Sequence, residues 1–155
     1  MPEQKKIGIN FGIKEIKTIR FTLNNVPESE TIKNEDVHFQ ILPASFVNYE
    51  EKIIGFDIIL TVYIQKKVKN IVCELITRVS FIVNNLHDVI PEEDKNASKL
   101  PDHFMQTLLS ISLSTTRGIL FSKTEGSVLN RFYLPILNPA GFKPAGIIPK
   151  EKIKS

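Results

Sequence analysis

Apolar side chains recur at every second position through most of the first half of this chain. They recur at every third and fourth position through one long stretch of the second half. From Ile7 to Leu23 the odd positions hold Ile7, Ile9, Phe11, Ile13, Ile19, Phe21 and Leu23, and the even ones are mostly Asn, Gly, Lys, Thr and Arg. That alternation predicts a long, half-buried strand, with a break near Glu15–Lys17 where it slips. The polar segment 24–36 holds one proline and predicts a loop. Val37, Phe39 and Ile41 resume the alternation up to Pro43, which predicts a second strand at a sheet edge or bulged near the proline. After a turn over 48–52, the even positions Ile54, Phe56, Ile58, Leu60, Val62 and Ile64 mark a third strand. A charged turn over 65–70 leads to a fourth, with Ile71, Cys73, Leu75, Val79, Phe81 and Val83 on its odd face. Short polar connections favour antiparallel neighbours, so residues 7–83 predict a four-stranded antiparallel meander.

The third and fourth strands are apolar on much of both faces. Ile59 and Tyr63 lie opposite the Ile54 face, and Val72, Ile76 and Ile82 opposite the Ile71 face. A sheet with two apolar faces must cover both. The chain's own helix can take one. The other needs a partner subunit or a client, unless this is simply a central strand pair in a well-covered monomer.

The polar connection 84–103 ends in Pro101 and Asp102, which look like a helix entry with Asp102 as N-cap or first-turn anion. Phe104, Leu108, Ile111 and Thr115 then fall on one stripe, and Met105, Leu109, Ser112 and Thr116 on its neighbour. We therefore expect a helix over 101–123, ending near Gly126. The β-branched run within Ser110–Thr116 also permits a strand, but no turn signal interrupts the segment from Asp102 to Phe121. Such a helix, nearly uncharged between Asp102 and Arg117, is usually buried on most sides. That points to burial between two sheets, hence to oligomerisation. In the tail, 127–155, Pro139, Gly141, Pro144, Gly146 and Pro149 exclude a long helix. The expected class is α+β: a four-stranded antiparallel sheet, a long helix and an irregular Pro-rich C-terminal segment, in one domain spanning 1–155.

Composition changes this picture little. With 155 residues the chain has the size of one domain. The net charge of +3 is too mild to argue nucleic-acid binding. The single cysteine, Cys73, excludes an internal disulfide framework and favours a reducing compartment. No apolar run at the N-terminus suits a signal peptide, and no uncharged run is long enough to span a bilayer. The expectation is a soluble cytoplasmic protein without membrane insertion.

The motifs of catalysis are missing. There is no GxxxxGK[ST], GxGxxG or GxSxG. His38, His87 and His103 are scattered, without the spacing of metal ligands. The acids Asp88, Glu92, Glu93 and Asp94 lack a calcium-loop pattern. Cys73, on an apolar strand face, reads as a buried inert thiol. Arg117 and Lys123 could hold an anion, but more often such residues cap a helix C-terminus through the dipole. We expect no enzyme, no metal and no cofactor.

The order of elements resembles the SecB family of export chaperones. "IVCEL" followed by "SFIV", within Ile71 to Val83, is similar to that family's fourth strand. The segment "ISLSTTRGILFSKTEGSVLNRFYLPILNP" stands where the family has a helix, an Arg-Gly turn and a segment like "FYLPILNP", Phe132 to Pro139. The resemblance covers about Ile7 to Phe142. It implies a tetramer, a dimer of dimers with the long helices sandwiched between subunit sheets. Leu108, Ile111, Ser112, Thr115 and Ile119 would then carry the oligomer interface. It also implies ATP-independent holding of unfolded or precursor polypeptides, which can lie extended in apolar grooves. The aromatic residues expected to touch such a client are Phe39, Phe46, Tyr49, Phe132, Tyr133 and Phe142. Export members dock the translocase motor SecA through acidic sheet residues. Here Glu74 and Asp57 remain as strand acids in a net basic chain, and the Pro-rich tail replaces the family's second helix. Some members of the wider family guard particular partners such as antitoxins. Two other classes fit the sequence: an oligomeric structural or assembly subunit, and an apolar small-ligand-binding domain.

Overall fold

The computed structural model describes residues 8–26, 31–90 and 100–142. Four antiparallel strands, β1 (Phe11–Leu23), β2 (Val37–Asn48), β3 (Ile53–Gln65) and β4 (Lys69–Val83), form one sheet. A short helix α1 (Leu86–Val89) and a long helix α2 (Asp102–Lys123) follow. The strand order is β1-β4-β3-β2. Thus β2, β3 and β4 form the expected meander, while β1 crosses over to the free edge of β4 instead of pairing with β2. Alternation predicts strands, but it does not name their neighbours.

Register explains which residues end up inside. Pro43 sits within β2, opposite Ile58. It is tolerated because β2 is an edge strand, where a missing donor can face away from the sheet. Strand β1 is the other edge. Its pairing with β4 shifts between Ile13 and Glu15 and again between Thr18 and Arg20, where the alternation slips. Between β3 and β4 the register shifts after Val62, so that Ile71 pairs with Tyr63. That bulge turns Ile71 away from the core, and it is 46% exposed rather than buried with Cys73 and Leu75.

Helix α2 lies across β3 and β4. Beneath it the sheet presents rows such as Val47–Ile54–Phe81–Ile13 and Pro43–Ile58–Thr77–Thr18. Ile54, Ile58, Leu60, Leu75, Val79 and Phe81 are all buried there. From the helix, Phe104, Leu108, Leu109, Ser112, Leu113, Thr116 and Leu120 point down. Burying one such apolar side chain stabilises the fold by about 1.5–3 kcal/mol. Asp102 opens the first turn, with Pro101 and not Asp102 at the N-cap. At the other end the Thr124 hydroxyl donates to the Leu120 carbonyl, and Gly126 adopts a φ of +80° to reverse the chain.

Among the described residues, a polar contact crosses the helix–sheet interface. The hydroxyls of Thr77 and Thr116 lie 2.6 Å apart and are buried. Thr116 Oγ1 also donates to the Ser112 carbonyl at 2.8 Å, so its one proton is used and Thr77 must be the donor between them. Thr116→Val leaves the buried Thr77 hydroxyl without a partner and is expected to cost about 1–3 kcal/mol. The double variant T77V/T116V is expected to recover much of that loss, because both polar groups are then gone. Urea unfolding of the wild type, both single variants and the pair checks this.

The segment 84–103, expected as plain connection, holds α1, whose Leu86 and the following Ile90 are fully buried. Asn85 pins the N-terminal segment by accepting from the Asn10 amide and donating to the Gly8 carbonyl.

Candidate functional site

After α2 the chain makes a short 3-10 turn over Val128–Arg131 and then runs extended. Extended backbone alternates its side chains. Phe132 and Leu134 therefore go into the core while Tyr133, at 67%, stands out. Arg117 ties this segment to the helix: its Nε and Nη2 donate to the carbonyls of Leu134 and Pro135, each at 2.9 Å. That is the role of Arg117 here, in place of helix capping. Lys123 leans its ammonium over the Phe21 ring at 5.7 Å.

The tie leaves an open-sided groove of about 310 Å³ between α2 and the extended segment. Ser114 and Gly118 form its helix side, Leu120 and Leu134 its depth, and Phe121, Phe132 and Tyr133 its walls. Phe121 is 46% exposed and stacks on Tyr133 with ring centroids 6.1 Å apart. A Cβ placed on Gly118 would meet nothing within 4 Å. The groove is lined by carbon and by small residues, with Arg117 its single charged side chain among the described residues. It suits apolar side chains of a polypeptide, or another apolar occupant, and carries no acid–base pair.

The six aromatics expected to meet a client divide. Phe132 and Tyr133 line the groove. Phe39 is half-buried against the lower core, near Phe132 and Leu129. Phe142 is half-buried against the upper core, where the chain has returned along α2. Tyr49 is a core residue: its hydroxyl donates to the Ile90 carbonyl at 3.1 Å and its ring stacks on His87. A buried segment beyond α1 needed that donor, which placement in a charged turn does not reveal. Phe46 lies on the far face of the sheet, its ring over Gly55.

The residues expected at an oligomer interface divide too. Leu108 and Ser112 are wholly buried on the inner side of α2, against the chain's own sheet. Neither is free for a partner. Ile111, Thr115 and Ile119 are half-buried along the flank of the helix, and its outermost line runs through Ser110, Ser114, Gly118 and Phe121.

The far face of the sheet is mixed rather than apolar. Its central row, Leu42–Ile59–Ile76–Arg20, is flanked by Gln40–Thr61–Glu74–Thr22 and by Ala44–Asp57–Arg78–Lys17. Asp57 is fully buried and takes a bidentate pair from Arg78, Nε at 2.7 Å and Nη2 at 2.8 Å. The hydrogen bonds to Asp57 are the main cause that holds the Arg78 guanidinium above its usual pKa. Its plane also rests 5.0 Å from the Phe46 ring. Glu74 accepts from Arg20 and from Thr22, at 3.5 and 3.4 Å. Both strand acids are thus engaged by arginine, and this face is no bare acidic platform. Burial, with a smaller push from Glu74, raises the Cys73 thiol to about 11, so it stays protonated and inert near neutral pH.

No helix among the described residues is long and apolar enough to cross a membrane. No protein-family profile matches the chain, and no curated protein sequence matches it. The fold is similar to that of a SecB-like chaperone from Mycobacterium tuberculosis, solved in complex with a ChAD peptide from the HigA1 antitoxin. The TM-score is 0.58 and the identity 16%, over 82% of this chain and 90% of that one. A protein of unknown function from Streptococcus agalactiae aligns over 84% of this chain and 98% of its own, at 11% identity and a TM-score of 0.44. The α+β fold is therefore SecB-like.

Proposed function

We propose that this protein is an ATP-independent holdase chaperone, which binds unfolded or precursor polypeptides in apolar grooves of an oligomer. The observation that carries the reading is the aromatic-walled groove between α2 and the segment after it. An extended client can seat alternate apolar side chains in such a groove. Several grooves per oligomer add avidity. The likeness to a chaperone solved with a bound peptide supports a polypeptide as the occupant. In this reading the protein is no enzyme, needs no cofactor and works in the cytoplasm. Its oligomer is a tetramer, a dimer of dimers that buries the helix flank of Ile111, Thr115 and Ile119. The paired state of Asp57 and Glu74 favours a dedicated partner over SecA docking.

A second reading, an assembly subunit that only self-associates, is favoured by β1. This edge strand exposes Ile13 at 53% and Ile16 at 48%, a template for pairing with another chain.

Light scattering with and without an unfolded test polypeptide separates the readings. The expected result is a mass of four subunits that takes up the unfolded polypeptide and ignores its folded form. An oligomer that ignores both is the assembly subunit. A monomer that ignores both overturns the holdase and the tetramer together.

A further inference from the structure

Resting on the holdase reading, we propose that the groove selects client segments in which an apolar anchor is flanked by acidic residues. The argument is charge complementarity around an apolar floor. From Phe104 to Phe142 the charged side chains are Arg117, Lys123 and Arg131 against the one carboxylate Glu125. One of those cations lines the groove and a second neighbours one of its walls. Arg117 lines it. Arg131 is exposed, and its guanidinium sits 5.3 Å from the ring of Phe132, which forms a groove wall. Among the described residues, ion pairs join Arg78 to Asp57 and Arg20 to Glu74, and no carboxylate pairs with Arg117 or Arg131.

Stacking on Phe132 holds the Arg131 fork in place before any client arrives. Less rotamer freedom is then lost when a carboxylate binds, and a planar guanidinium matches a carboxylate with two parallel hydrogen bonds. In an extended client, residues two apart are about 7 Å from one another. An anchor seated in the groove against Leu120 and Leu134 thus brings a flanking side chain within reach of the rim. A basic flank meets like charge there. The strand acids offer it no compensation, because Asp57 and Glu74 lie on the opposite face of the sheet and are already paired.

The test uses the full-length protein and two fluorescent nonapeptides with the same central Leu and Phe. One carries glutamates on its flanks, the other lysines. At low salt the acidic peptide is expected to bind about tenfold more tightly, with the ratio shrinking toward about twofold at 0.5 M salt, where exposed charges are screened. Arg131→Glu is expected to erase or invert the ratio while its melting curve matches wild type, since the side chain is exposed. Binding of an unfolded test protein is read in parallel. Equal affinities for both peptides, unchanged by Arg131→Glu, overturn the charge selection and leave the holdase standing. A tighter basic peptide overturns it likewise. If neither peptide nor the unfolded protein binds, the holdase reading falls with it.

Discussion

Arg78→Ala is expected to lower the unfolding free energy by about 3–5 kcal/mol. The reason lies beneath the arginine. Asp57 is in the middle of β3, fully buried, and both of its carboxylate oxygens accept from the same guanidinium at 2.7 and 2.8 Å. Removing the arginine strands a charge in the sheet rather than deleting one contact. The Phe46 ring, packed over Gly55, would also lose the cation it shields. Arg78→Lys keeps the charge but not the fork, and is expected to recover only part of the loss. The paired variant D57A/R78A is expected to be more stable than Arg78→Ala alone, because no unpaired charge remains. Urea midpoints at constant slope measure all three. If Arg78→Ala unfolds like wild type, Asp57 is not held by this pair. The far face of the sheet would then be available as an acidic surface after all.

Much of this fold is legible in the chain. Helix α2 begins and ends within a residue of the span predicted from its stripes, because Pro101 and the positive φ of Gly126 punctuate it. The even face of β3 is buried throughout, since a central strand feels its own alternation and little else. What escaped the pattern is tertiary. That β1 lies beside β4 depends on a crossover whose polar loop carries no periodicity. Ile71 left the core because a bulge after Val62 changed the parity. Tyr49 and Leu86 entered it from segments rich in charge and turn residues, where neither has a periodic neighbour. The groove was half visible: the alternation at Phe132–Tyr133 places one ring inward and one outward. Its other half depends on Arg117 reaching two carbonyls far along the chain, and a guanidinium seeking backbone oxygens leaves no mark on spacing.

Gly118→Leu is expected to abolish client uptake, a loss of tenfold or more in affinity, while leaving the fold intact or slightly more stable. The two effects come from one substitution for separate reasons. Gly118 is an exposed position inside a long helix, and a side chain there meets open space. Replacing glycine by leucine at such a site gains helix propensity, roughly 0.5–1 kcal/mol. The open space is the groove itself, so the added isobutyl group occupies the volume between Phe121 and Leu134 that an anchor would use. A variant that melts no earlier than wild type but no longer keeps an unfolded polypeptide soluble separates binding from stability. Native mass must be read beside it, because Gly118 lies on the outer line of α2. Unchanged mass with lost uptake places the client in the groove. Unchanged uptake with Gly118→Leu removes the groove as the binding site and moves the question to the exposed isoleucines of β1.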